Sequence, residues 1–249
     1  MAEIIGKTIL KFESLDSTNN YAISLLSKSD LDEGCVVVAE EQQSGRGQRD
    51  NSWESDKGLN LLLSIVLHPS FLPVKYQFLI SKVVALGVCE VLSLYVNDVS
   101  IKWPNDIYVG DNKIAGILIE NFLSGSTIDS SIVGIGININ QRKFFSNAPN
   151  PISLSQVTDA FFDKDELLDL FLNSIDKWYS LLKSKEVTKI DTEYLKRMYR
   201  IDAESFYKDA DGEFVGRIIG VNPIGQLVVD KENGKLKEYH FKEIEFLFK

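Results

Sequence analysis

Apolar and polar positions along much of the chain alternate with the two-residue period of half-buried strands, interrupted by stretches with helical spacing. Thr8–Glu13 and Cys35–Glu40 read as strands. In Leu59–Leu67 the residues Leu59, Leu61, Leu63, Ile65 and Leu67 fall on one face, with Asn60 and Ser64 on the other. Ser17 can cap a helix running to about Ser27, and Tyr21 and Leu25 share one of its faces. Pro73 can open a long helix to about Tyr95. Val99–Trp103, Ile107–Val109, Lys113–Phe122 and Thr127–Asn138 follow as strands, with turns at Asp111–Asn112 and Ser124–Gly125. Short turns between neighbouring strands imply antiparallel pairing. Residues 41–58 and 141–157 read as loops. Asp163, with Glu166, predicts a capped helix whose stripe is Leu167, Phe171, Ile175, Trp178 and Leu182. A shorter helix covers about Asp191–Tyr199. After Arg200, short strands separated by Gly212, Gly216, Gly220, Gly225 and Gly234 suggest a small barrel. The pattern therefore predicts an α+β architecture. A mixed, largely antiparallel sheet flanked by helices occupies residues 1–199, and a small SH3-like β-barrel occupies 200–249.

Composition narrows the function classes. The chain has 249 residues, with 44% hydrophobic and 25% charged positions, enough to bury a substantial core. Its formal net charge of −9 argues against a surface that neutralises a nucleic-acid backbone, so no nucleic-acid partner is expected. No apolar run approaches the length of a membrane span, and the first residues carry no secretory pattern. A cytoplasmic location is expected. Cys35 and Cys89 lie in apolar runs and read as small buried hydrophobes. His68 and His240 have no nucleophile motif nearby.

Four segments carry candidate chemistry. Asp16–Asn19 (DSTN) suits a helix cap, and equally offers consecutive donor–acceptor side chains to a polar ligand. Gln42–Arg49 sets Arg46 between Gly45 and Gly47, with Arg49 beyond. Glycines let backbone N–H groups approach an anion, and guanidinium groups add charge-assisted contacts. It is not a Walker phosphate loop. In Lys102–Asp106 (KWPND), Pro104 forces Trp103 into an extended conformation and stiffens the presentation of Asn105 and Asp106. Lys113 then precedes Gly116, an in-strand glycine of the kind that marks close approach. In Gly134–Asn138 (GIGIN), Gly134, Gly136 and Asn138 fall on one face, leaving room there for a flat ligand.

DSTN, the Gly-Arg-Gly loop, KWPND, Lys113–Leu118 (KIAGIL) and GIGIN, in that order, resemble the biotin–protein ligases, whose catalytic fold is class II synthetase-like. The tail from about Ile201 is similar to that family's C-terminal barrel. The resemblance implies a two-step reaction, the alternatives being a lipoate–protein ligase, which shares the general fold and adenylation chemistry, or a non-catalytic binder of biotinyl-AMP or of a carrier domain. Biotin and ATP form biotinyl-5′-AMP with Mg²⁺, and the biotinyl group then passes to a lysine of a biotin carboxyl carrier domain, usually that of acetyl-CoA carboxylase. It implies that Ser17, Thr18, Asn19 and Gln42 line a biotin pocket, and that Gly45, Arg46 and Gly47 close over it, with Gly116 alongside. It further implies that Arg49, Trp53, Asn105, Lys113 and Asn138 meet the nucleotide, with Trp53 against the adenine. Lys113 and Arg46 are the implied catalytic cations. Gln48 and Asp50 depart from the family, which often has a basic residue and a glycine there. The pattern begins almost at residue 1, so no amino-terminal DNA-binding domain is expected.

Overall fold

The structure is a computed structural model and describes residues 4–28, 31–48, 51–145, 150–231 and 234–247. Among these residues the larger sheet is built from β1 (Ile9–Phe12), β2 (Val36–Ala39), β3 (Leu61–Leu67), β4 (Val99–Lys102), β5 (Asp106–Val109), β6 (Asn112–Ser124) and β7 (Thr127–Ile137). Its strand order is β1-β2-β3-β7-β6-β5-β4. β1 and β2 are parallel and every other neighbouring pair is antiparallel. The single parallel pair follows from the connection, because α1 (Thr18–Leu26) carries the chain back between β1 and β2.

Period two divides the sheet into two chemically distinct faces. Leu61, Leu63, Ile65 and Leu67 of β3 and Val133, Ile135 and Ile137 of β7 join the main apolar core. That core is completed by α2 (Phe78–Leu92) and α4 (Lys164–Lys183), with α5 (Val187–Lys196) packed beside them. The stripe Leu167, Phe171, Ile175, Trp178 and Leu182 is buried in it. The opposite face carries α1 and a smaller apolar cluster of Ala22, Cys35, Val37, Val66 and Ile132. Ser64, Gly134 and Gly136 lie on this second face. Burial pushes the Cys89 thiol up to about 12, so it behaves as an inert core residue.

Three local expectations are corrected. Pro73 is extended, and one 3₁₀ turn at Val74–Tyr76 precedes α2, so the helix starts only at Phe78. The segment 141–157 is not all loop: α3 (Leu154–Thr158) is nucleated by a capping box in which Ser153 and Gln156 satisfy each other's backbone N–H. α5 begins at Val187, earlier than the spacing implied. At α4 the Asp163 carboxylate accepts from the N–H groups of Asp165 and Glu166.

The chain after residue 200 forms β8 (Glu204–Asp209), β9 (Gly212–Val221), β10 (Leu227–Asp230), β11 (Leu236–Tyr239) and β12 (Glu245–Phe246). They make an antiparallel sheet in the order β11-β10-β9-β8-β12, whose end strands are not paired to each other among the described residues. The Trp103 indole joins the two sheets: its Nε1 donates to Gly225 O at 2.9 Å, and its ring meets Phe241 at 6.4 Å between centroids. No helix among the described residues is long and apolar enough to cross a membrane.

Candidate functional site

A cleft of about 600 Å³ opens on the second face of the larger sheet. Ser17, Thr18 and Asn19 reach it from the start of α1, where extended Ser17 occupies the N-cap position without a side-chain capping bond. The DSTN side chains are thus left for contacts other than capping. The following loop is clipped beside them by backbone pairing: Leu15 N–H donates to Glu41 O, Gln43 N–H to Leu15 O and Ser44 N–H to Asp16 O. This brings the Gln42 carboxamide onto Thr18. Gln42 Oε1 accepts from Thr18 N at 2.7 Å and from Thr18 Oγ1 at 3.0 Å.

Ser64, on the polar face of β3, completes this end of the cleft. Its Oγ lies 2.8 Å from Thr18 Oγ1 and 2.6 Å from Asn19 Oδ1. Besides the Thr18 N–H bond, the three oxygen–oxygen contacts linking Gln42, Thr18, Ser64 and Asn19 share only the protons of two hydroxyls. One contact must therefore always lack a proton, and the cluster has acceptor capacity to spare. A ligand bringing N–H donors fits it.

Two residues further along β7, roughly 7 Å away, the chemistry changes. Gly136 pairs directly with Gly116 of β6, making a bare patch of sheet. The Trp53 indole covers both glycines. The loop returns Trp53 there through Gly47 N–H to Asn51 O and Trp53 N–H to Gly45 O. Trp53 Nε1 and Gln48 Oε1 are buried without hydrogen-bond partners among the described residues. Such orphaned groups beside a cleft are available to a ligand.

This end is cationic. Lys113 Nζ lies 2.7 Å from Asp106 Oδ1 and 5.6 Å from the Trp53 ring centroid. Lys102 also lines the cleft and donates to Tyr108 Oη at 2.9 Å. Burial holds the Lys102 ammonium below its usual range; Asp106 opposes that shift, while Lys113 and Arg200 add to it. Arg46 enters the same cleft from the loop, at the Asn19 end, where it pairs with Glu120 and Asn20. Several cations gathered in one cleft of an acidic chain make a local anion site.

Most of the sequence-derived candidates meet here: Ser17, Thr18, Asn19, Gln42, Arg46, Gly47, Trp53, Asn105, Asp106, Lys113 and Gly116 all line the cleft. Three do not. Gly45 sits behind the wall, packed on the Trp53 backbone. Asn138 follows the last residue of β7 and its N–H still donates to Ile114 O across the ladder, but it does not line the cleft. It is buried, its Nδ2 donates to Ile152 O, and its Oδ1 has no partner among the described residues. Arg49, like Asp50, lies outside the described residues. Asn105 faces the cleft while its Nδ2 donates to Ile117 O at 2.5 Å.

The match to known proteins is consistent along the chain. The sequence pattern of the Biotin/lipoate A/B protein ligase family matches residues 11–138. The chain belongs to that family. It is 30% identical to the bifunctional ligase/repressor BirA of Escherichia coli, over 98% of this chain and 75% of that protein. It is also 30% identical to the biotin–[acetyl-CoA-carboxylase] ligase of Paracoccus denitrificans, over 88% of this chain and 93% of that one. Its fold superposes on the biotin protein ligase from Aquifex aeolicus in complex with biotin and ATP with a TM-score of 0.80. That match has 28% identity and covers 96% of this chain and 98% of the other.

Within the family fold, three contributors to the site escape sequence reasoning. Glu120 on β6 receives Arg46, as described below. Ser64 falls on the correct face by period two, but nothing in its spacing assigns it a role. Phe241, Lys242, Ile244, Glu245 and Phe246 supply a wall of the cleft from the small sheet. Period two from Gly116 through Leu118 to Glu120 would have pointed to the first; no local signal points to the last.

Proposed function

We propose that this chain activates biotin with ATP to biotinyl-5′-AMP and then transfers the biotinyl group to a lysine of a biotin carboxyl carrier domain, that of acetyl-CoA carboxylase in the first instance. The observation that carries this reading is the continuity of the cleft. A neutral end rich in acceptors runs within roughly 7 Å into a cationic end floored by paired glycines. A ureido ring, with two N–H donors and one carbonyl, suits the first end. A carboxylate meeting a triphosphate suits the second.

The steps follow from that order. Biotin seats its ureido group against Thr18, Asn19, Ser64 and Gln42, which directs its carboxylate toward Lys113. A carboxylate is a poor electrophile, so one of its oxygens attacks the α-phosphorus of ATP and pyrophosphate leaves. Lys113 and Arg46 stabilise the negative charge that gathers on the α-phosphate. The loop carrying Gly45, Arg46, Gly47 and Arg49, with the Trp53 indole beside the adenine, keeps water from the mixed anhydride. The carrier lysine, as the free amine, then attacks the acyl carbon, and AMP leaves with the bonding electrons. Asn105 lies on the nucleotide side of this cleft, and Asn138 supports it through Ile152.

Mg²⁺ would arrive with the triphosphate and supply charge neutralisation there. No three acidic, histidine or cysteine side chains converge among the described residues, which fits an ion held mainly by phosphate and water. Asp106, beside Lys113, is the carboxylate placed to add a protein oxygen. In this reading residues 1–199 form the ligating unit and 200–249 an appended unit that walls the cleft. The cytoplasm is the compartment that offers its substrates.

Biotin-dependent exchange of labelled pyrophosphate into ATP tests the first step. Exchange that requires biotin supports the reading, and exchange that proceeds equally without it contradicts it.

A further inference from the structure

Arg46 makes a fork-to-fork ion pair with Glu120. Its Nη2 donates to Glu120 Oε1 at 2.9 Å, and its Nη1 donates to Glu120 Oε2 at 3.1 Å and to Asn20 Oδ1 at 2.7 Å. The same Glu120 Oε2 accepts from Asn19 Nδ2 at 2.8 Å, and a second Asn19 Nδ2 contact reaches Leu118 O at 3.3 Å. One carboxylate therefore fixes two things. It sets the Asn19 amide so that Oδ1, not Nδ2, faces Ser64. It also holds the Gly-Arg-Gly loop down on β6 across a sequence separation of 74.

The pair is partly exposed, with side-chain exposures of 39% for Arg46 and 26% for Glu120. Exposed pairs are individually weak, but a bidentate guanidinium–carboxylate pair adds orientation that a point charge does not. Glu120 shares the face of β6 that carries the bare glycine patch but stands four residues beyond Gly116, where it pairs with Ile132. It is not among the residues lining the cleft, and it therefore acts through others.

We infer that Glu120 is a positioning residue that couples the Gly-Arg-Gly loop to the neutral end of the cleft, latching the loop through Arg46 while orienting the Asn19 amide. With a polyanionic ligand bound, Arg46 has two competing carboxylate or phosphate partners, and the latch becomes an exchange of one for the other. This part rests on the function proposed above; the latch in the ligand-free protein does not.

The test is amide hydrogen exchange of the loop peptide around residues 43–57 in ligand-free protein, followed by mass spectrometry, for wild type, Glu120→Gln, Arg46→Gln and the double variant. Glu120→Gln keeps the shape and an acceptor for Asn19 but removes the charge. Loop exchange is expected to speed at least about fivefold in each single variant and no further in the double, because both remove the same bond. Glu120→Asp should fall between wild type and Glu120→Gln, and peptides from β8 and β9 should be unchanged. Loop exchange in Glu120→Gln equal to wild type, or effects that multiply in the double variant, overturns the inference. Arg46→Gln changes a loop side chain rather than the core, so the comparison survives should Glu120→Gln fold poorly. Biotin titration of the same proteins separates the two claims. A wild type that binds no biotin contradicts the proposed function and leaves the latch result standing. If biotin binds, its Kd should rise about tenfold in Glu120→Gln, because Asn19 loses its charged anchor.

Discussion

The Trp53 indole is seated on Gly136: a Cβ added there would stand 2.4 Å from Trp53 Cε2, and one added at the facing Gly116 would stand 2.9 Å from Cζ3. The glycines of β6 and β7 thus make room for a flat group of the protein's own. At Gly134 the neighbour is the Asn19 amide instead, 2.3 Å from an added Cβ. Gly134 and Gly136 both lie in a regular strand and neither has a positive φ, so alanine is excluded by space and not by backbone conformation.

That difference gives a split kinetic signature. Gly134→Ala displaces Asn19 and should raise the biotin KM at least about tenfold, a loss of roughly 1.4 kcal/mol. Gly136→Ala displaces Trp53 and should raise the ATP KM by a similar factor, with a red shift of the tryptophan emission that is absent in a Trp53→Phe background. Steady-state pyrophosphate exchange measures both, and the reverse pattern would contradict the assignment of the two ends.

Lys113→Ala should cut biotin-dependent pyrophosphate exchange more than about tenfold, with the melting temperature within a few degrees of wild type. The side chain stands near the start of β6, and the substitution removes its ion pair with Asp106 while leaving the apolar core untouched. A variant retaining more than a tenth of the rate would leave Lys113 contributing under roughly 1.4 kcal/mol to the transition state, too little for its assigned role.

The legible and illegible parts of the site divide along a physical line. Alternation within one strand exposes the glycine face of β7 and the polar face of β3, because period two is a local property. It does not say what a side chain meets: the same alternation groups Asn138 with Gly136, yet the Asn138 amide donates to Ile152 O and does not line the cleft. What covers the glycines cannot be read this way, since Trp53 and Gly136 are brought together by a loop and a sheet register that no local spacing encodes. Glu120 sits in an unremarkable strand and acquires its meaning from Arg46, which arrives from another element. The wall from Phe241 to Phe246 requires knowing how the small sheet docks. The expectation of a helix straight from Pro73 fails for a local reason, because an extended proline can precede a 3₁₀ turn as readily as a helix.

The small sheet has a staple of its own, and it should respond to pH. Asp209 has a side chain only 1% exposed. Burial alone would raise its pKa, but Lys231, Tyr239, Lys237 and the Asp211 N–H donate to it and hold it well below the usual carboxylate range. A folded-state pKa depressed in this way contributes stability that is present above the ordinary carboxylate pKa of about 4 and is lost as pH falls through the folded value. Asp209→Asn should therefore cost on the order of 2 kcal/mol at neutral pH. The gap in melting temperature from wild type should narrow below about pH 4. A gap that stays constant into acid would show that the charge of Asp209 is not what matters.

Thr18→Val, nearly isosteric, removes the hydroxyl that Gln42 and Ser64 share. It leaves polar neighbours unpaired and should weaken biotin binding by about 1–3 kcal/mol, read by calorimetric titration. Binding as tight as wild type would remove Thr18 from the pocket.

The central claim is that this cleft selects biotin and delivers it to a carrier lysine. Mass spectrometry of a purified biotin carboxyl carrier domain, after incubation with the protein, ATP and equal concentrations of biotin and lipoate, tests it most directly. Lipoate's dithiolane offers none of the N–H or carbonyl groups that the Thr18–Asn19–Ser64–Gln42 cluster is built to meet. The predicted result is a single biotinyl adduct on one lysine, with kcat/KM for biotin exceeding that for lipoate by at least about a hundredfold. A carrier that gains lipoyl as readily as biotinyl, or gains neither, would contradict it.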